Sequence, residues 1–198
     1  LGDAIAEAVE DAASHSDTNY ALGSVLNHVI LHQSVIGLEA KKQMEMVDEY
    51  PDIVIGCNGG GSNFSGIAFP FLKDTFDGKE HAKFIAVEAE ACPKLTKGVF
   101  TYDYGDSAGM APITHDVFPG PFFPSSGIHA AVCAITGIPL LSQLYHDGFI
   151  EAAAVGQKEV FEAALLFAQT EAIVPAPESS MPICQAIKEA NKCKESGE

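Results

Sequence analysis

No arginine occurs among the 198 residues, and no tryptophan. All 11 basic residues are lysines, so the planar guanidinium fork that grips a carboxylate through two parallel hydrogen bonds is missing. Any such grip must come from lysine, from backbone N–H groups, or from other polypeptide. Basic charge is scarce altogether: 27 acids leave a formal net charge of -16, which repels nucleic acid and anionic lipid and disfavours both as partners. No apolar run approaches the roughly 20 residues of a membrane-crossing helix. The start, Leu1-Gly2-Asp3-Ala4, has no basic region and no initiator Met, so it does not read as a signal peptide, and both ends read as cut. The cysteines, at 57, 92, 133, 184 and 193, form no C-x-x-C pair. Their spacing suits neither a zinc site nor a disulfide framework, and a reducing cytoplasm is the expected home.

What is present is a core. Hydrophobic residues make up 47% of the chain and charged residues 19%, enough to bury one domain, or one domain plus part of another. Apolar spacing predicts helices over Leu1–Ala13 and about Ser34–Tyr50, with a strand near Leu22–Leu26 between them. Asp52–Cys57 and Lys83–Glu88 read as buried strands either side of a helical pattern through Phe64, Ile67, Ala68, Phe71 and Leu72. Pro70 is expected to kink or shorten that helix. Residues 89 to 127, rich in Gly and Pro, read as a long irregular excursion. Helices near Ile128–Ile135 and Pro139–His146, a strand Gly148–Val155, and helices Gln157–Thr170 and about Ser180–Lys192 complete the reading. Strand and helix alternate without internal repeats, which predicts an α/β fold, a three-layer α/β/α arrangement with a mainly parallel sheet.

The densest signal lies between the first two buried strands. Asn58-Gly59-Gly60-Gly61-Ser62-Asn63 follows a strand and opens a helix. Glycine reaches positive φ, so successive N–H groups can converge on one anion, with Ser62 placed to cap a helix whose positive end adds attraction. A phosphate group is the expected ligand; a glycine-rich turn that binds nothing is the competing reading. Neither G-x-x-x-x-G-K-[ST] nor an in-register G-x-G-x-x-G is present, which leaves a cofactor phosphate ahead of a nucleotide. The dispersed histidines, His28 and His32 among them, read as structural. Ser179-Ser180 reads as a helix cap, and Asp103 and Asp106 read as turn residues.

Gly59-Gly60-Gly61-Ser62-Asn63 resembles the phosphate-binding loop of tryptophan synthase β chains, which are pyridoxal-phosphate enzymes of fold type II. Further stretches resemble the divergent second class of those chains: Leu22–His28, His32–Gly37, Ala86-Val87-Glu88 with Ala91-Cys92-Pro93, and Val174–Ser180. The resemblance implies that Gly59, Gly60, Gly61, Ser62 and Asn63 hold the phosphate of pyridoxal 5'-phosphate. It implies that Glu178 is the catalytic carboxylate beside the pyridine ring; taken without the family, Glu178 reads as an acid favoured at a helix start. It places carbonyls of Gly59, Phe123 and Ser125 around a monovalent cation, Na+ or K+, a position otherwise read as a Pro-rich loop.

The implied activity joins L-serine to indole to give L-tryptophan, with a homodimer and a tryptophan synthase α chain as implied partners. Residues 1–35 would be a remnant of the first domain and 36–198 most of the second. The family's cofactor-binding lysine, in a His-Lys-x-Asn segment, and its substrate-carboxylate loop would precede Leu1; a further strand and loop would follow Glu198. The segment is therefore expected to be inactive alone. Ala134, Ile135 and Thr136 replace polar residues common in the family, and Met181 replaces a histidine. These changes fit an inactive relative, a different acceptor, or a chain redesigned to stand alone. Two other readings remain open: a non-catalytic phosphate-binding or inert α/β domain, and another fold type II enzyme such as a dehydratase, against which Val174–Ser180 argues.

Overall fold

The computed structural model describes residues 2–21, 23–105, 109–118 and 138–197. The elements in chain order are α1 (Gly2–Ser14), α2 (Asn27–Glu45), β1 (Ile53–Cys57), α3 (Ser62–Phe76), β2 (Lys83–Ala89), α4 (Lys94–Lys97), β3 (Val99–Tyr104), β4 (Ile113–Phe118), α5 (Pro139–His146), β5 (Glu151–Val155), α6 (Gln157–Glu171) and α7 (Pro177–Ser196).

β1, β2 and β5 form a three-stranded parallel sheet in the order β1-β2-β5, with Ile55 opposite Ile85 and Val87 opposite Ala153. Side chains alternate across a strand, and here the alternation sorts them into two cores. Val54, Phe84 and Ala86 pack with Phe64, Ala68, Phe71, Ile138 and Leu141 beneath α3 and α5. Cys57, Ile85, Val87 and Val155 pack with Val160, Ala163, Met181 and Cys184 beneath α6 and α7. Helices thus cover both faces, as an apolar parallel sheet requires, and the expected three-layer α/β/α arrangement is the observed one.

α2 lies on α3 at close range because glycine faces glycine. A Cβ on Gly37 would stand 2.6 Å from the Ile67 carbonyl and 2.7 Å from Pro70 Cγ, and one on Gly66 would stand 2.8 Å from Gln33 Cβ. Pro70 does not shorten α3, which continues through it to Phe76; it is buried in this crossing instead.

Other expectations are corrected. Among the described residues around Leu22–Leu26 there is no strand: these are bends leading into α2, and Val25 takes a left-handed φ of 60°. A short apolar run fits a strand or a helix entry equally well, and among the described residues no strand pairs with it. The excursion after residue 89 holds structure. α4 follows β2, and β3 and β4 pair as an antiparallel ribbon from Val99 opposite Phe118 to Tyr104 opposite Ile113. Part of the glycine and proline content that suggested irregularity, Gly105, Gly109 and Pro112, sits in the connection of that ribbon. The helix expected near Ile128–Ile135 falls outside the described residues. β5 begins at Glu151 because Gly148, at φ 82°, makes a turn after α5. α7 begins earlier than expected because Pro177, with its φ fixed by the ring, starts the helix. Among the described residues no helix is long and apolar enough to cross a membrane.

Candidate functional site

All three strands point their carboxyl ends at one edge of the sheet, where ligands gather in open α/β folds. β1 ends there at Cys57, and the amide of Asn58 donates to the Val87 carbonyl at 2.7 Å, anchoring the loop to β2. Beyond that anchor, the N–H groups of Gly59 through Phe64 donate to no described residue; the first helical bond runs from Ser65 N to Gly61 O at 2.9 Å. Gly61, rather than Ser62, precedes α3 as its N-cap, at φ 101° and without a side-chain cap. Ser62 is the first helical residue, so its expected capping role is corrected. A left-handed turn places the loop's direction change on the one residue with no Cβ to clash.

The space around this loop is tight on the protein side. A Cβ on Gly60 would stand 2.8 Å from Val25 Cγ1, and one on Gly61 would stand 2.9 Å from Leu141 Cδ2. Asn58, only 3% exposed, has a buried side-chain Oδ1 with no hydrogen-bond partner. A buried polar atom left unpaired costs about 1–3 kcal/mol, so its presence marks a place where a partner is expected. Unpaired amides at the mouth of a 15-residue helix and glycines crowded where a Cβ would stand fit a phosphate group, and the Asn58 side chain fits it with its nitrogen turned toward the loop. Sequence reading passed over Asn58 as a site residue, although its place between strand and glycines was the signal.

Glu178 reaches the same edge from the other face. Lys83 Nζ, at the start of β2, lies 3.4 Å from Glu189 Oε2 in α7, and Cys57 at the end of β1 feels the charge of Glu178, so α7 runs antiparallel to the strands. Eleven residues of helix span about 16 Å, which carries Glu178 back to the carboxyl edge. There burial pushes the Cys57 thiol up, and the nearby Glu178 charge adds to the effect. Glu178 occupies the first turn of α7, where the helix dipole favours an acid. Ser179 and Ser180 are inside the helix, and Ser180 Oγ donates to the Ala176 carbonyl at 2.8 Å; the capping expectation for them is corrected. Met181, 2% exposed, is part of the core under α7.

Phe123 and Ser125, with Ala134, Ile135 and Thr136, lie outside the described residues, as does Asp106. Asp103 sits in β3, where its Oδ1 accepts from the Tyr104 amide at 2.8 Å. His28 and His32 are exposed on α2.

A polar cluster that no sequence feature announced lies beside the loop. Lys94 Nζ stands 3.0 Å from Asp116 Oδ2 with both side chains buried, and Ser142 Oγ donates to Asp116 Oδ1. Glu88, 1% exposed, accepts from Leu95 N at 2.8 Å, Thr96 N at 2.9 Å and Thr96 Oγ1 at 2.6 Å. Burial raises the Glu88 carboxyl against those hydrogen bonds; burial likewise lowers the Lys94 ammonium against the pull of Asp116 and Glu88. At the opposite, amino edge, a cavity of about 530 Å³ opens between the ends of α2 and α3, lined by Lys41, Glu45, Asp48, Glu49, Tyr50, Asp74, Lys79 and Glu80.

Comparison with known proteins gives the family and the fold. The family profile described as pyridoxal-phosphate dependent enzyme matches residues 2–198. The chain is 58% identical to "Tryptophan synthase beta chain 2" of Aquifex aeolicus, covering 100% of this chain and 46% of that protein. It is 55% identical to the protein of the same name from Methanosarcina mazei, covering 100% and 45%. It thus spans somewhat under half the length of these curated relatives. Among solved structures, a fungal L-serine ammonia-lyase from Rhizomucor miehei aligns with a TM-score of 0.64 at 15% identity, over 90% of this chain and 50% of that one. A threonine deaminase of T.th. aligns at 0.55 and 16% identity, over 82% and 52%. At such identities the two structures speak for the fold. Fold and profile agree, and the chain belongs to the family of pyridoxal-phosphate dependent enzymes, within which it is similar to tryptophan synthase β chains.

Proposed function

We propose that this chain is the phosphate-holding part of a lyase of the tryptophan synthase β type, acting on L-serine and indole. The observation that carries the reading is the run of N–H groups from Gly59 to Phe64 without a described protein acceptor, opening α3 beside the orphaned Asn58 Oδ1. Backbone amides of Gly59 through Asn63 would hold the cofactor phosphate, helped by the positive end of α3. The Asn58 amide, turned to present its nitrogen, would donate to the same group. Pyridoxal phosphate, when bound, supplies the electron sink that lets an amino acid lose or gain substituents next to its amine. The chain's own contribution is orientation: the loop fixes one end of the cofactor, and Glu178 sets a negative charge at the same edge, beside the ring. The Gly59 carbonyl, with those of Phe123 and Ser125, would take Na+ or K+.

In this reading residues 1–35 finish a first domain, 36–198 form most of a second, and a homodimer and an α chain are the partners. No His-Lys pair occurs in the sequence, so the lysine that carries the cofactor in the family has no counterpart here. The chain by itself is therefore proposed to bind the cofactor's phosphate without turning over. Titration calorimetry with pyridoxal phosphate and with inorganic phosphate tests the binding, and an assay for tryptophan from serine and indole tests the inactivity. Binding of both probes without turnover is expected. Binding of neither leaves an inert α/β domain, and tryptophan formation overturns the proposed inactivity.

A further inference from the structure

The buried cluster behind the glycine loop is connected to it through one helix. Ile138, which precedes α5, and Leu141 within it form the wall against Gly61: a Cβ there would stand 2.9 Å from Leu141 Cδ2 and 3.6 Å from Ile138 Cβ. Both residues are essentially inaccessible, at 0% and 1% exposure. Next to Leu141, Ser142 turns the other way and donates its hydroxyl to Asp116 Oδ1. Asp116 is fully buried, receives its neighbour Val117's amide on the same oxygen at 2.7 Å, and pairs through Oδ2 with Lys94. Lys94 belongs to α4, whose first amides are fastened to Glu88 at the end of β2. The position of α5 against the loop is thus referred back to the central strand of the sheet. A buried ion pair contributes little net stability compared with apolar residues of the same volume, but its geometry is demanding and singles out one arrangement.

We infer that Ser142, Asp116 and Lys94 are positioning residues for the phosphate loop, locking α5 where Leu141 and Ile138 hold Gly61 in its left-handed turn. The inference rests on the proposed phosphate role of the loop. Without the lock α5 can shift, Gly61 relaxes, and the amides of Gly60, Gly61 and Ser62 lose their common setting while the sheet stays intact. Misplacement of this kind weakens a ligand without removing any group that touches it.

The test uses the whole chain and the variants Ser142→Ala and Ser142→Thr, with Lys158→Ala, at an exposed position of α6, as a control. Asp116→Asn is set aside as the main variant, because it strands a buried ammonium and can fail to fold. Affinities for inorganic phosphate and for pyridoxal phosphate are measured by calorimetry, and the amide resonances of Gly60, Gly61 and Ser62 are followed by 15N NMR without ligand. Ser142→Ala is expected to weaken both probes by about five- to tenfold and to move those amide resonances. Ser142→Thr, which keeps the hydroxyl, is expected to restore both, and Lys158→Ala to change neither. A Ser142→Ala variant with a lowered Tm, unmoved loop resonances and unchanged affinities overturns the inference, since the hydroxyl would then only stabilise the fold. If the unsubstituted chain binds neither probe, the phosphate reading fails separately, and the loop resonances alone decide whether Ser142 positions Gly61.

Discussion

A single glycine shows how much of the site rests on backbone sterics. Gly61 needs both a left-handed φ of 101° and the absence of a Cβ, which Leu141 would meet at 2.9 Å. Gly78 has φ 69° with nothing within 4 Å. Gly61→Ala is expected to cost about 1–3 kcal/mol for the strained conformation, with crowding on top. Gly78→Ala should cost only the left-handed penalty of about 1–2 kcal/mol. Urea unfolding of the two variants compares them, and equal losses would show that the Leu141 wall yields freely. The buried pair behind it makes a second residue-scale prediction. Asp116→Leu alone strands Lys94 in the core and should cost about 3–5 kcal/mol. Adding Lys94→Met should recover most of that loss, because neither charge is then taken from water. A double variant no more stable than the single one would show that the ammonium escapes to solvent.

Between elements, stability depends on contacts that no one helix or strand contains. α2 and α3 approach through Gly37 and Gly66, where a Cβ would press on backbone carbonyls at 2.6 to 2.8 Å. Gly37→Ala should therefore cost about 1–3 kcal/mol by overpacking, although alanine favours a helix in isolation; a stabilised variant in urea melts would refute the close crossing. On the other face, α7 is tied down by ion pairs. Glu159 is held below the usual carboxylate range chiefly by Lys188, and Glu189 chiefly by Lys192, with Lys83 also beside it. In the unfolded chain both return to the ordinary value of 4.5. On acidification below that value the unfolded state takes up protons first, so their stabilisation is lost as pH falls through the lowered folded values. Glu88, raised by burial, acts in the opposite sense and is relieved by protonation. The urea midpoint should fall from pH 5 toward pH 3 with a slope reduced in Glu159→Gln/Glu189→Gln, at about the pH range where free carboxyls titrate. An unchanged slope would remove these pairs from the acid response.

At the scale of the whole molecule the dominant fact is charge. A net charge of -16 with a sequence pI of about 4.6 loads the folded surface with like-signed repulsion, which compactness makes worse. Raising KCl from about 0.02 to 0.3 M shortens the screening length below about 10 Å, so Tm should rise by a few degrees. A fall in Tm would mean that the α7 ion pairs outweigh the net repulsion. The same scale shows why the β3–β4 ribbon escaped sequence reading. Its strands are joined by glycine- and proline-bearing chain, and pairing of Val99 with Phe118 is a contact between residues far apart in sequence. The buried partnership of Lys94 with Asp116 escaped for the same reason, since each alone reads as an ordinary surface charge.

By itself the sequence determined the alternation of strand and helix, the parallel three-layer arrangement, and the glycine loop between β1 and α3, because apolar periodicity and glycine's freedom are local properties written in neighbouring residues. It also determined that the candidate site sits where a strand feeds a helix. Tertiary structure alone decided which residues stand around that loop: Val25 and Leu141 as its walls, Asn58 as its orphaned neighbour, and Glu178 returned to the same edge by an antiparallel helix. It also decided that Gly61 rather than Ser62 caps α3, and that a lysine and an aspartate are buried together behind it. Such facts depend on what chain packing brings close, and the energy of a buried charge or a crowded glycine is fixed by its neighbours in space.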